Sequence, residues 1–280
     1  MPGTLYIVPT PIGNLADITH RALQTLKDVD LIAAEDTRHT HKLLQHYGIT
    51  TKAISYHEHN EQERSAELLN RLKEGSDIAI VSDAGTPAIN DPGFRLVSLA
   101  LKNDIQVISL PGPSAFVTAL VASGLATDEF FFGGFLPARA AARRARLLEL
   151  GAVPGTLIFY EAPHRLPATL KDASQVLGPR NAVVARELTK IHEELRRGTL
   201  NELAEHYSSS QNVRGEIVLL IDRTRDEVSS TQPLNQTEMA TLVARFEGEG
   251  LDHRAALKRA ARELGISRSE AYRQLVRERK

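Results

Sequence analysis

Four short apolar runs, rich in β-branched residues and each leading into a polar or turn-forming loop and then a helical pattern, constrain the fold of this 280-residue chain most. They are Leu5 to Val8, Leu31 to Ala34, Ile78 to Val81 and Ile105 to Ile108. None alternates strictly with polar residues, so neither face meets water, which is the pattern of a mainly parallel sheet covered by helices on both sides. Helical patterns over 21–27, from about Thr40, and over 116–124 complete a βα rhythm. The last is apolar nearly all round, which predicts a buried helix.

A second set of runs begins near Phe130 and continues through Leu157 to Tyr160, Ala182 to Ala185 and Ile217 to Ile221, with helical stretches at about 140–150, 166–177 and 199–207. From Arg223 to Gln236 apolar residues nearly vanish in favour of Ser, Thr, Gln, Asp and Pro, as in a solvated linker. Beyond it Leu257, Ala260, Ala261 and Leu264 fall at i, i+3, i+4 and i+7, Gly265 is a stop, and Ser267 caps a following helix, a helix-turn-helix-like pattern. The expected organisation is an α/β domain over 1–126, a second over 127–222, a linker over 223–236 and a basic helical domain over 237–280. Between Asp252 and Lys280 nine Lys/Arg face four acids, so this tail carries +5 within a chain of net charge −1. Bulk charge thus points to neither nucleic acid nor membrane, and any such signal is local. The absence of cysteine excludes disulfides and thiolate chemistry and fits a reducing compartment. With no apolar run of membrane-spanning length and Met1 leading directly to a strand, the expectation is a soluble cytoplasmic protein.

Chemistry is expected at the strand ends, where open α/β sheets bind ligands. The first loop, Pro9-Thr10-Pro11-Ile12-Gly13-Asn14, has no G-x-G-x-x-G, and its two prolines remove backbone donors that a phosphate cradle needs, so a ligand without phosphate is expected. The second, Ser82-Asp83-Ala84-Gly85-Thr86-Pro87-Ala88-Ile89-Asn90-Asp91-Pro92-Gly93, offers a carboxylate, a hydroxyl and a stiff backbone; alternatively Asp83 and Asp91 only cap amides. In Leu110-Pro111-Gly112-Pro113-Ser114-Ala115, Ser114 is either a helix cap or a ligand donor. Together these loops suit an uncharged or zwitterionic adenosine-like ligand. Glu35-Asp36-Thr37-Arg38, Tyr160-Glu161-Ala162-Pro163-His164-Arg165 and Ala185-Arg186-Glu187-Leu188-Thr189-Lys190 place charge after apolar strands, as site residues or as local ion pairs. Arg139, Arg143 and Arg146 share a helical face, either solvated or, with the basic tail, a phosphate track. His57, His59 and Glu61 lack zinc-site spacing, and no metal is expected.

The strings P-T-P-I-G-N-L-A-D-I-T, E-D-T-R, S-D-A-G-T-P-A-I-N-D-P-G, L-P-G-P-S-A, Y-E-A-P-H-R and A-R-E-L-T-K resemble the ribosomal RNA small subunit methyltransferase I family over about residues 4–222. The resemblance implies a two-domain class III, tetrapyrrole methylase-like α/β fold with a helical extension. It further implies S-adenosylmethionine as methyl donor in the cleft between the domains, a homodimer, and 2'-O-methylation of a cytidine in 16S ribosomal RNA of the small subunit. Carried over by position, donor contacts fall on Ile12, Asp83, Thr86, Ile89, Ser114, Ala115, Tyr160, Ala185 and Glu216. For the proton of the 2'-hydroxyl the candidates are Asp36, Glu58, Glu161, Glu187 and Lys190, the last if desolvation lowers its pKa. Of these Asp36, Glu187 and Lys190 are favoured, joined by Arg38. Arg38 and Arg165 are expected on flanking phosphates, and Arg139, Arg143, Arg146, Lys258, Arg268 and Arg273 on RNA. Rival readings are methylation of a small molecule of tetrapyrrole type and a nucleic-acid-binding regulator that senses a metabolite.

Overall fold

Strand β1 (Thr4–Ile7) occupies an inner position of the first sheet in a computed structural model, which describes residues 1–209, 213–223 and 236–263. It pairs in parallel with β4 (Ile78–Val81) and with β5 (Gln106–Ser109). Beyond β4 lie β2 (Leu31–Ala34) and β3 (Ala53–Ser55), giving the order β3-β2-β4-β1-β5 with every pairing parallel. β2 and β4 are buried at every position, as their unbroken apolar runs require. Their side chains feed two cores, one on each face of the sheet.

The connecting helices begin where side chains can satisfy free backbone amides. α1 (His20–Asp28) starts at Thr19, whose hydroxyl accepts from the Ala22 amide at 3.1 Å. α2 (Thr37–His46) begins three residues earlier than the expected Thr40, because the Asp36 carboxylate caps it, accepting from the Arg38 amide at 2.8 Å. α3 (Glu61–Lys73) and α4 (Phe94–Lys102) follow.

α5 (Ala115–Ser123) departs from the expectation of a helix buried all round. It turns Ala119 and Leu120 into a cluster with Ile158, Val183, Val218 and Leu220 of the second sheet, whereas Val121 remains 70% exposed. The helix packs on its inner face only and lies on the second sheet rather than within the first lobe.

That second sheet has the order β6-β7-β10-β8-β9 and is mixed. β6 (Phe130–Phe135) runs parallel to β7 (Thr156–Glu161); β10 (Ile217–Ile221) is antiparallel to β7 and to β8 (Asn181–Arg186), and β9 (Glu194–Thr199) is antiparallel to β8. Helices α6 (Ala140–Leu150), α7 (Leu166–Leu177) and α8 (Leu200–Ser209) coincide with the helical stretches read from the sequence. Their core includes Leu147, Leu170, Leu203, Phe159 and Leu219, and full burial of each such side chain contributes about 1.5–3 kcal/mol.

Both sheets belong to one compact unit, Met1–Thr224; Arg225–Lys280 forms a second. In the latter α9 (Gln236–Gly248) and α10 (His253–Glu263) bury Val243, Phe246, Leu257, Ala260 and Ala261 together. Arg245 and Arg259 lie over the Phe246 ring, at 4.5 and 4.8 Å from its centroid. The expected second helix of the tail, with Arg268 and Arg273, falls outside the described residues, and so does most of the expected linker.

Candidate active site

The carboxyl ends of β1, β4 and β5 are stitched into one surface. Thr10 and Gly85 exchange both backbone hydrogen bonds at 2.9 and 3.0 Å, Thr10 Oγ1 donates to the Ser82 carbonyl at 3.0 Å, and Thr86 Oγ1 donates to the Pro113 carbonyl at 3.1 Å. The three loops expected to form a site therefore do converge. Above them, a cavity of about 350 Å³ is closed by the ends of β7, β8 and β10 from the second lobe. It is lined by Ile12, Thr86, Ile89, Ser114, Ala115, Tyr160, Ala185 and Glu216, eight of the nine residues carried over as donor contacts.

The ninth, Asp83, does not line the cavity. Its Oδ1 accepts from the Asp36 amide at 3.0 Å and its own amide donates to Glu35 Oε2 at 3.3 Å, tying the ends of β2 and β4 together beside the cavity. Ser114 stands at the start of α5 without a side-chain capping bond, so of its two expected roles the capping one is not taken. Sequence reasoning passed over Asn90, Phe135, Pro163 and Leu188, which also line the space, and weighed Asp91 only as a cap. The first two had one local signal: Asn90 lies in the same rigid loop as Thr86, and Phe135 ends an apolar strand.

No Lys, Arg or His lines this cavity among the described residues, whereas Asp91, Glu161 and Glu216 do. The Glu161 side chain is turned inward, accepting from Thr169 Oγ1 at 2.5 Å and the Ala162 amide at 2.8 Å and pairing with Arg165 at 3.2 Å. Burial pushes the Tyr160 phenol up to about 12, with the Asp91 carboxylate adding to it, so the hydroxyl keeps its proton. Burial pushes Asp91 up to about 7, helped by the charges of Glu35 and Asp83.

At the mouth, Lys190 Nζ donates to Glu187 Oε1 at 2.8 Å and to Glu216 Oε2 at 3.2 Å. Burial works against its charge, but the hydrogen bond to Glu187 and the charge of Glu216 outweigh it and hold the amine protonated. Lys190 is thus corrected from a proton acceptor to a fixed cation. Its turn has left-handed backbone at Glu187 (φ 52°) and Thr189 (φ 64°) and presses on the first loop, where a Cβ at Gly13 would lie 2.5 Å from Lys190 Cγ. Glycine at position 13 is what lets the two lobes meet there. Asp36 and Arg38 form a bidentate pair at 3.1 and 2.8 Å on the exposed start of α2, which holds the Asp36 carboxyl well below the usual range and leaves it a poor base.

Two expected RNA contacts are corrected. Arg143, only 4% exposed, points into the second lobe, where it donates to Asp172 Oδ2 from Nε at 2.8 Å and to the Ala138 carbonyl at 3.2 Å. Arg165 donates to the Leu136 carbonyl at 2.6 Å besides its pair with Glu161. Both are engaged inside the lobe, although Arg165 Nε, paired with Glu161 by charge, makes no hydrogen bond. Arg139 and Lys258 are exposed; Arg146 pairs with Glu149 at 2.7 Å and lies over Phe131. Glu58 is exposed and does not line the cavity.

A parallel sheet and a mixed sheet with a ligand-sized cavity between their strand ends define the class, and residues 4–204 match the family model of Tetrapyrrole (Corrin/Porphyrin) Methylases. Solved structures with this fold include diphthine synthase (TM-score 0.63, 14% identity, covering 79% of this chain and 91% of that one). Another is uroporphyrin-III C-methyltransferase from Thermus thermophilus in complex with S-adenosylhomocysteine (0.55, 18%, 78% and 97%). At higher identity stand proteins named ribosomal RNA small subunit methyltransferase I. That of Micromonospora olivasterospora is 47% identical over 277 residues, covering 98% of this chain and 86% of that one; that of Escherichia coli O157:H7 is 54% identical over 222 residues, covering 79% and 78%. The chain belongs to the ribosomal RNA small subunit methyltransferase I family.

Proposed function

We propose that the chain transfers a methyl group from S-adenosylmethionine to the 2'-hydroxyl of a cytidine in 16S ribosomal RNA of the small subunit. The observation that carries the donor is the cavity lining, which among the described residues offers apolar walls and carboxylates and no basic side chain. It suits a nucleoside with a sulfonium cation and no phosphate, and the family supplies the RNA. When bound, the donor supplies an electrophilic methyl group.

The chain's own residues bind, orient and shield. Ile12, Ala115 and Ala185 give flat apolar contact for a base, Ser114 and Thr86 present hydroxyls and backbone at the rim, Tyr160 and Ile89 close the sides, and Glu216 complements positive charge. Asp83 acts through its hold on the end of β2, setting Asp36 and Arg38. The Glu187–Lys190 pair and Arg38 are positioning groups at the mouth, cations offered to RNA phosphates flanking the reacting ribose. Arg139 and Arg146 on the α/β unit, and Lys258 on the helical unit taken by itself, are further cations for RNA. Alignment of oxygen and methyl is the main catalytic contribution of such a frame.

The exposed apolar residues Val117 and Val121 on α5 and Phe130 on β6 support a homodimer. No helix among the described residues is long and apolar enough to cross a membrane, and a ribosomal substrate supports a cytoplasmic location. The test is incubation with labelled donor and small ribosomal subunits from cells lacking the activity, followed by mass spectrometry of RNA nucleosides. A methylated cytidine ribose is expected. Label in a tetrapyrrole acceptor and none in RNA would overturn the assignment.

A further inference from the structure

Asp91 is held in the cavity by a backbone that local sequence preference alone would not adopt. Before it Ala88 (φ 68°) and Asn90 (φ 63°) take left-handed conformations, which Asn tolerates and Ala avoids, and after it Gly93 has φ 146°. Contacts from two directions hold this loop. The Asn90 side chain lies against β6 of the opposite lobe, where a Cβ at Gly134 would come within 2.6 Å of Asn90 Oδ1. The Gly93 amide donates to Glu61 Oε1 at 3.4 Å, and the buried Tyr56 hydroxyl donates to that same oxygen at 3.1 Å. The left-handed Ala88, in a loop fixed by contacts from both lobes, marks a segment whose placement matters.

Elimination leads to the same residue. Of the other two carboxylates in the lining, Glu161 is fully engaged inward and Glu216 is solvent-exposed and paired with Lys190. Tyr160 and Lys190 both keep their protons. Asp91 is half-buried, and among the described residues no cation pairs with it in a salt bridge.

We propose that Asp91 is the catalytic residue that accepts the proton of the substrate hydroxyl in the cavity. The inference rests on the methyl-transfer reading above. The hydroxyl oxygen forms the O–CH3 bond with its lone pair, the S–CH3 bond breaks with its electron pair left on sulfur, and the O–H proton passes to the Asp91 carboxylate and on to water. Charge balances, since a cationic sulfonium becomes a neutral thioether and one proton is released. A base is most effective with its pKa near the working pH, and Asp91 is at about 7. The groups that act on it are Ser82 and Asp83 at the end of β4 and Glu35 at the end of β2; Tyr160 on β7 feels its charge, Glu216 before β10 shares the lining, Glu61 on α3 accepts from the Gly93 amide, and His57 acts on Glu35. Acids outnumber bases, which keeps the carboxyl from ionising early.

The test compares Asp91→Asn and Asp91→Glu with the unaltered full chain, measuring single-turnover methyl transfer to small ribosomal subunits from pH 5.5 to 9 and donor affinity by calorimetry. Asn should lower the rate about 100-fold or more and abolish the rise in rate through pH 7, Glu should restore part of both, and donor affinity should stay within threefold. In parallel, 13C-aspartate NMR of the unaltered protein should show one carboxyl titrating near neutrality that is lost in Asp91→Asn. A rate for Asn within threefold of the parent overturns the proposal. So does a large loss of donor affinity with rate retained at saturation, which would make Asp91 a counter-charge, or a spectrum with no carboxyl titrating between pH 6 and 8. If Asp91→Asn fails to fold, Asp91→Glu carries the rate comparison, and the spectrum of the unaltered protein alone still overturns the proposal when no aspartate titrates between pH 6 and 8. Absence of methyl transfer by the unaltered chain would sink the functional reading instead.

Discussion

Replacing Asp172 with alanine leaves a guanidinium stranded in the second lobe. Arg143 and Asp172 are 5% and 8% exposed at their side chains, meet at 2.6 Å, and share the carboxylate with Arg144 at 3.1 Å. At an effective dielectric constant of about 20 the attraction of so close a pair is roughly 6 kcal/mol, and most of it offsets desolvation of the two ions. Deleting one partner removes the attraction and keeps the desolvation, so the loss is about 3–5 kcal/mol. For the Met1–Thr224 unit, at roughly 2–4 °C per kcal/mol for domains of this size, Tm should fall by about 10 °C. The double variant Arg143→Met, Asp172→Leu fills the space with apolar atoms and should regain stability to within about 1 kcal/mol of the parent. Urea and thermal unfolding followed by far-ultraviolet circular dichroism give both numbers, and the double variant should bind RNA as the parent does. A loss under 1 kcal/mol for Asp172→Ala, or an RNA affinity that drops with the refolded double variant, would refute the interior role assigned to Arg143.

Ser114→Trp should fill the cavity floor and weaken donor binding at least tenfold, and Asp83→Ala should weaken it less, since it acts through the end of β2; calorimetry on the folded variants checks both. Alanine singly at Asp36, Arg38, Glu187 or Lys190 should lower turnover more than donor affinity, read from the split between kcat and the donor Kd. Truncation after Gln232 should leave a folded, donor-binding α/β unit with weaker RNA binding and a shallower salt dependence, because the Asp252–Lys280 stretch carries +5. Asp91 binds its proton more tightly folded, at about 7, than at its ordinary 3.8, so its contribution to stability is complete below about 4 and is lost as pH rises through 7. Unfolding midpoints between pH 5 and 8.5 should therefore decline less in Asp91→Asn than in the parent.

The parts of this protein that local chemistry dictates were legible in its residues. Uninterrupted apolar runs marked β2, β4 and β10, and rigid loops at strand ends marked the cavity floor. β9 was missed because Glu194, Arg196 and Arg197 dominate it; as an edge strand it draws its order from pairing with β8, including Arg186–Glu194 at 2.9 Å. β3 is only three residues long and also lies at an edge. Arg143 was misplaced since helical spacing puts it on a face with Arg139 and Arg146, while its carboxylate partner comes from a helix that no spacing rule connects to it. Asp91 looked like a turn residue because what raises its pKa is chiefly burial in the folded chain, with the charge of Glu35 brought from the end of β2, neither of which its own loop displays.

Adenosine-bearing metabolites in a cell are mostly phosphorylated, and a methyltransferase must find its donor among them. Among the described residues the lining bears carboxylates and no Lys, Arg or His, which under the proposed reading favours a sulfonium over a phosphate. A nucleotide that entered would meet the carboxylates of Asp91 and Glu216 in the lining, where no Lys, Arg or His stands among the described residues to pair its phosphates. Burying such a charge uncompensated is unfavourable by several kcal/mol. Under the proposed reading, the arrangement that suits a sulfonium therefore disfavours phosphorylated nucleotides as competitors for the cavity.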